Sequence, residues 1–149
     1  MKITYSLELP AEAQTVPVVR GLVRSSMTEL GIDVTCVDDL ALALTEACAN
    51  VVAHAVADGA QDGSGGYRVE ISFDRLVCQI EVTDRGGGFD ASGLEVGMPE
   101  WEEERGRGLA IIEALMDGVA YSSEPGKGTV VTFEKRLVLT PSSKLRPLT

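Results

Sequence analysis

The chain of 149 residues has one histidine and three cysteines, Cys36, Cys48 and Cys78, with no C-x-x-C spacing among them. That set supplies no recognisable zinc site. Cys48 falls in an apolar helical run and Cys78 in an alternating strand, so both read as buried thiols. Basic residues are also few: 13 Lys and Arg stand against 23 Asp and Glu, a formal charge of −10. Phosphate contacts to DNA need a basic surface, so this balance argues against direct nucleic-acid binding. It still admits a nucleotide whose phosphates are screened by Mg²⁺, or a basic protein partner. No apolar run approaches the ~18 residues that would span a bilayer. The opening Met1-Lys2-Ile3-Thr4-Tyr5 alternates like a strand and lacks a signal-peptide core. Together these absences predict a cytoplasmic protein with no membrane contact. Internal repeats and linkers are missing too, which leaves one domain of about residues 1–139, without room for a separate sensor, and a disordered tail over 140–149.

The residues that are present carry two periods. Ile3, Tyr5, Leu7 and Leu9 alternate with polar neighbours up to Pro10, a half-buried strand. Val16, Val19, Leu22, Val23, Met27 and Leu30 follow helical spacing, with Pro17 in the first turn and Gly31 as the stop. A second helix is expected from Thr35 or Cys36, with Asp38 and Asp39 in its first turn, where acids suit the dipole. Its apolar face is Leu40, Leu44, Ala47, Cys48, Val51 and Ala55. The Gly- and Asp-rich stretch 58–66 reads as a loop. Residues 67–73 and 76–82 alternate on either side of Asp74-Arg75, an antiparallel hairpin that ends at Asp84. Residues 86–105 have no sustained period and include Glu100-Trp-Glu-Glu-Glu104. They predict a mobile lid, followed by a short helix starting just after Gly108. Strands follow at 119–122 and 129–137. The order β-α-α-β-β-lid-α-β-β predicts an α+β two-layer sandwich, a mixed, mostly antiparallel sheet covered on one face by helices.

Three separated segments carry the chemistry. On one helix Glu46, Asn50 and His54 recur at i, i+4, i+8 and share a stripe. A carboxylate and a carboxamide one turn apart suit a Mg²⁺ ion and its water. Polar groups bordering an apolar face need partners of this kind. Asp84 closes a strand before Gly86-Gly87-Gly88. It is either an ordinary turn residue or an acceptor for the exocyclic amine of adenine, with Gly86 and Gly88 letting backbone approach the ring. Gly106 and Gly108 either punctuate the chain or bare N–H groups at a helix start for an anion. Arg105 and Arg107 then flank the phosphates, or pair with Glu102–Glu104. His54 reads as a packing or polar-edge residue, and Trp101 as a cover for the nucleotide or a protein contact. Two other phosphate motifs fail. The dinucleotide fingerprint must open a helix, and the residues after Gly86-Gly-Gly88-Phe-Asp-Ala91 lack helical period. A P-loop ending at Gly126-Lys-Gly-Thr129 would need its first glycine where Tyr121 stands. Together the three segments suggest a nucleotide held by its base at one end and by Mg²⁺ and phosphates at the other.

These segments resemble the boxes of the GHKL ATPase/kinase superfamily, in the same order. Glu46-x-x-x-Asn50 is similar to its N box, Asp84-Arg-Gly86-Gly-Gly88 to G1, and Arg105-Gly106-Arg107-Gly108-Leu109-Ala to G2. Gly128-Thr129-Val-Val-Thr-Phe133 is similar to its glycine-threonine strand. The likeness runs from about Ile3 to Leu137 and is strongest to the small anti-sigma factor serine kinases. It implies the GHKL (Bergerat) ATP-binding fold, with ATP and Mg²⁺ as cofactors. It also implies a homodimer that sequesters a sigma factor and phosphorylates a serine or threonine of a STAS-type anti-anti-sigma partner. Carried over, Glu46 is the general base, Asn50 holds Mg²⁺, and Asp84 reads adenine. Arg105 meets the terminal phosphate as a catalytic residue. Gly86, Gly88, Gly106, Arg107, Gly108, Leu109 and Thr129 shape the nucleotide pocket. The consecutive glycines of G1 and the short acidic lid depart from the pattern and leave partner identity open. The rival readings are a non-catalytic ATP-binding anti-sigma module and the catalytic fragment of a histidine kinase.

Overall fold

A computed structural model describes residues 1–57, 66–84, 99–124 and 128–146. Strands β1 (Lys2–Pro10), β2 (Gly66–Asp74), β3 (Val77–Asp84), β4 (Gly118–Glu124) and β5 (Gly128–Arg136) and helices α1 (Thr15–Leu30), α2 (Val34–Ala57) and α3 (Pro99–Leu115) follow the predicted order. The strands form one sheet in the order β1-β2-β3-β5-β4, and every neighbouring pair is antiparallel.

Side-chain alternation decides which face the helices cover. Tyr67, Val69, Ile71 and Phe73 of β2 are buried, as are Cys78, Ile80 and Val82 of β3 and Val131 and Phe133 of β5. Their neighbours in sequence point to the other, polar face, as a period of two requires. The α2 helix lays Val37, Leu40, Leu44, Ala47, Cys48 and Val51 onto the apolar side, and α1 adds Val19, Val23 and Met27. Full burial of each large aliphatic side chain contributes roughly 1.5–3 kcal/mol.

Helix ends follow local chemistry. Gly31, at φ 83°, closes α1. Its N–H reaches Thr28 O at 3.0 Å and the Ile32 N–H reaches Met27 O at 3.1 Å, a Schellman pattern. The second helix starts at Val34, earlier than the acidic pair suggested. Asp33 is the cap: its Oδ2 accepts the Thr35 N–H at 3.1 Å. Asp38 therefore lies beyond the first turn and pairs with Arg24 of α1 at 2.7 Å. Asp39 sits 3.5 Å from Lys135, whose ammonium also donates to Leu115 O at 2.8 Å at the end of α3. A cation there suits the negative end of the helix.

Two expectations are corrected. The third helix starts at Pro99 rather than after Gly108, so the acidic run Glu100–Glu104 is helical. Glutamate is a good helix former, and each glycine costs only about 1 kcal/mol against alanine, too little to stop the helix. Residues 85–98 and 58–65, with the remainder of the expected lid and loop, lie outside the described residues. The second correction concerns the chain end. Residues 140–146 are anchored and belong to the domain. The Thr140 N–H bonds to Gly31 O at 2.8 Å, the Lys144 N–H to Leu30 O at 3.1 Å, and the Ser143 hydroxyl to Leu30 O at 2.7 Å. These take up carbonyls that the end of α1 leaves open. A Cβ on Gly31 would lie 2.5 Å from Ser143 Cα, so glycine is required here for close approach as well as for its positive φ.

A buried polar chain ties the layers together. The Tyr67 hydroxyl lies 2.5 Å from Thr15 Oγ1 and is also hydrogen-bonded with Cys48. Burial pushes the Tyr67 hydroxyl up to about 12 and the Cys48 thiol up to about 12. Both groups are held neutral in the fold, whereas the unfolded chain releases their protons nearer 10 and 9. Their contribution to stability is therefore complete below pH 9 and is lost as pH rises towards 12. Thermal midpoints are expected to fall steadily over that interval, and Cys48→Ala to make the fall shallower. An identical slope in the variant would remove Cys48 from this account.

Candidate functional site

Asp84 is the informative residue of the sheet. It continues the inward series Cys78, Ile80, Val82 and is only 4% exposed. A carboxylate on the buried face costs free energy unless the site uses it or pairs it. The β3–β5 register ends at Thr83↔Val130. One step further sets Asp84 beside Thr129, which is 8% exposed.

These residues open into a cleft between α2, α3 and the ends of the strands. Asn50 and His54 line it from α2, Asp84 from β3, Leu109 from α3, and Tyr121 and Thr129 from β4 and β5. Ala47, Val51 and Val131 add apolar surface. The empty volume is about 530 Å³, counting the open mouth. Apolar walls with a few convergent polar groups are the usual form of such sites.

The third helix meets the second at Gly108. A Cβ built there would lie 3.0 Å from Asn50 Nδ2, 3.3 Å from Asn50 Oδ1 and 3.3 Å from Glu46 Oε2. Only a residue without a side chain leaves both polar groups in place. Glu46 and Asn50 are half-buried one turn apart on α2, so the carboxylate, the carboxamide and Gly108 occupy one corner at the rim of the cleft.

Of the residues read from the sequence, Asn50, Asp84, Leu109 and Thr129 share the cleft, and Glu46 and Gly108 meet beside it. Gly106 and Gly108 lie within α3 rather than before it. The expected anion site at a helix start after Gly108 is therefore not formed, because the N–H groups there belong to the helix interior. Arg105 also lies in α3, and Arg107 is exposed on it. Gly86 and Gly88 fall outside the described residues. Tyr121 and Val131 were missed as lining residues. The available signal was the alternation Val119, Tyr121, which places Tyr121 on the inward face, opposite Val131. His54, read as a packing residue, is 7% exposed and lines the cleft.

The donor set suits a nucleotide: a buried carboxylate and a hydroxyl side by side for a base edge, with oxygen ligands on α2 beside Gly108. Among the described residues no three His, Cys, Asp or Glu side chains converge into a metal site made by protein alone. A Mg²⁺ ion, which takes one or two protein oxygens and completes its shell with phosphates and water, fits Asn50 better than a dedicated cage. None of the described helices is long and apolar enough to cross a membrane.

Residues 9–135 match the family described as the histidine kinase-like ATPase domain. The chain belongs to that family, whose ligand is ATP. Within it, the chain is 32% identical over 131 residues to the serine-protein kinase RsbW of Halalkalibacterium halodurans, covering 83% of this chain and 78% of the relative. It is 36% identical over 104 residues to the anti-sigma F factor of Pasteuria penetrans, covering 66% and 67%. Among solved structures, the RsbU and RsbW domains of a Mycobacterium tuberculosis protein match at TM-score 0.63 and 23% identity. That match covers 91% of this chain and 32% of the other, so the chain spans about a third of that longer polypeptide. The histidine kinase domain of a blue-light activated kinase from Erythrobacter litoralis matches at TM-score 0.53 and 18% identity, covering 86% and 61%. At these identities both structures speak for the fold.

Proposed function

We propose that this chain is an anti-sigma factor and an ATP-dependent protein serine/threonine kinase. On this reading it sequesters a sigma factor, acts as a homodimer in the cytoplasm, and phosphorylates a STAS-type anti-anti-sigma partner. The observation that carries the proposal is the corner formed by Glu46, Asn50 and Gly108 in a chain 32% identical to a serine-protein kinase. A module that only bound a partner would have no need to hold a carboxylate and a magnesium ligand together beside a nucleotide cleft.

The proposed roles combine the cleft geometry with what the family's boxes imply. Asp84 accepts the exocyclic amine of the base, with Thr129 beside it. Asn50 offers its amide oxygen to Mg²⁺. Glu46 orients the attacking hydroxyl and takes its proton as the oxygen bonds to phosphorus. Arg105 and Arg107 neutralise charge on the phosphates, and Gly86, Gly88 and Gly106 let backbone come close. Bound Mg–ATP would supply the phosphoryl group: as the hydroxyl oxygen bonds to the γ-phosphorus, the bond to the β-phosphate oxygen breaks and ADP leaves.

The test is incubation of the protein with radiolabelled ATP, Mg²⁺ and its cognate STAS protein. Acid-stable label on the partner is expected. Acid-labile label would point to phosphohistidine and overturn the assignment. Capture of a sigma factor with no label transferred would establish the non-catalytic alternative.

A further inference from the structure

We infer that Tyr121 is a base-stacking residue that sets the preference of the cleft for purine nucleotides, an inference that rests on the nucleotide reading of the site. Tyr121 sits on β4, the edge strand of the sheet, opposite Val131. The pairing puts its ring on the inward face, where neighbours that fill the core are almost completely covered: Val131 is 6% exposed and Phe133 is 1%. Tyr121 is 38% exposed, although it shares their side of the sheet. It lies on the edge strand and in the cleft wall, with Asp84, Leu109 and Thr129.

Among the described aromatic residues, Tyr67, Phe73 and Phe133 are core side chains, and Tyr5 stacks on Phe73. Tyr121 alone of these five borders the cleft. A β-branched aliphatic residue would satisfy an edge strand at that position equally well. A phenol adds a flat π surface and a polar tip, the combination suited to a wall that is apolar on one side and wet on the other. Asp84 reads the edge of a base, and an edge reader alone accepts any ring that carries an amine in the right place. A flat wall beside it favours the ring with the larger stacking surface, hence a purine over a pyrimidine. Every base has a π face, so the effect is one of degree.

The experiment is titration calorimetry of the full chain with Mg–ADP and Mg–CDP, which avoids turnover. The wild-type protein is expected to bind ADP more tightly than CDP. Tyr121→Ala should weaken ADP binding about 5- to 150-fold, the range seen when a stacking aromatic is removed, and narrow the gap to CDP. Tyr121→Phe should stay close to wild type. Tyr121→Leu keeps apolar bulk at the sheet edge without a ring, so it tests stacking even if the alanine variant folds poorly; it should lose affinity as well. Unchanged ADP affinity in Tyr121→Leu, with wild-type binding intact, overturns the inference and leaves the nucleotide reading standing. No uptake of ADP by the wild-type protein overturns both.

Discussion

Glu46→Gln is expected to lower phosphotransfer to the protein substrate by about 10²–10⁴-fold, the contribution typical of a positioned general base. The substitution keeps shape and polarity but removes the negative charge and, with it, the ability to take a proton. Glu46 stands at the rim, against Gly108, and outside the residues that wall the cleft. Affinity for Mg–ADP should therefore stay near the wild-type value, and the loss should appear in kcat for transfer. Single-turnover transfer and calorimetry on the same preparation separate the two quantities. Transfer at the wild-type rate would strip Glu46 of its proposed role. Equal losses of binding and transfer would make it a nucleotide contact instead. Because the side chain is half-buried and Gln matches its size, the variant is expected to melt close to wild type.

Much of this site is legible in the sequence, and for a physical reason. Asp84 interrupts an inward-facing series of apolar residues, and Glu46 and Asn50 border the apolar face of a long helix. Both are violations of a simple period, and such violations are where function is expected. The hairpin, the stop at Gly31 and the element order also follow from local patterns. What was hidden depends on long-range geometry. The anchoring of residues 140–146 uses backbone carbonyls of Leu30 and Gly31, which carry no side-chain signature. The early start of α3 had no periodic apolar face to announce it, because its first residues are acidic. Tyr121 becomes a wall of the cleft only once the β4–β5 register is known. Asp38 and Asp39 misled by composition: acids near a helix start suggest the first turn, yet Asp33 is the residue that caps it, and the pair makes interhelical and helix–sheet contacts instead.

Gly108 sets stability against chemistry, and its substitution should separate them. A glycine inside α3 costs about 1 kcal/mol of helix stability relative to alanine, so Gly108→Ala gains that propensity. The new Cβ would sit 3.0 Å from Asn50 Nδ2 and 3.3 Å from Glu46 Oε2. Both atoms are the far ends of flexible side chains, so a shift of a few tenths of an ångström relieves the contact at little cost in folding. The expected result is a melting temperature equal to or slightly above wild type, together with reduced transfer. Gly108→Val adds two further carbons at the same corner and forces a larger displacement. A misplacement near 1 Å costs about 10²-fold in rate, and transfer by the valine variant is expected to fall by about that factor. β-Branching also removes part of the helix gain. Thermal melts and transfer rates measured across Gly, Ala and Val decide the matter. Rates that fall in that order while the alanine protein melts no lower than wild type would tie the glycine to the placement of Glu46 and Asn50. Full activity in Gly108→Val would mean that the two side chains have no fixed position to lose, and the corner would then have no part in catalysis.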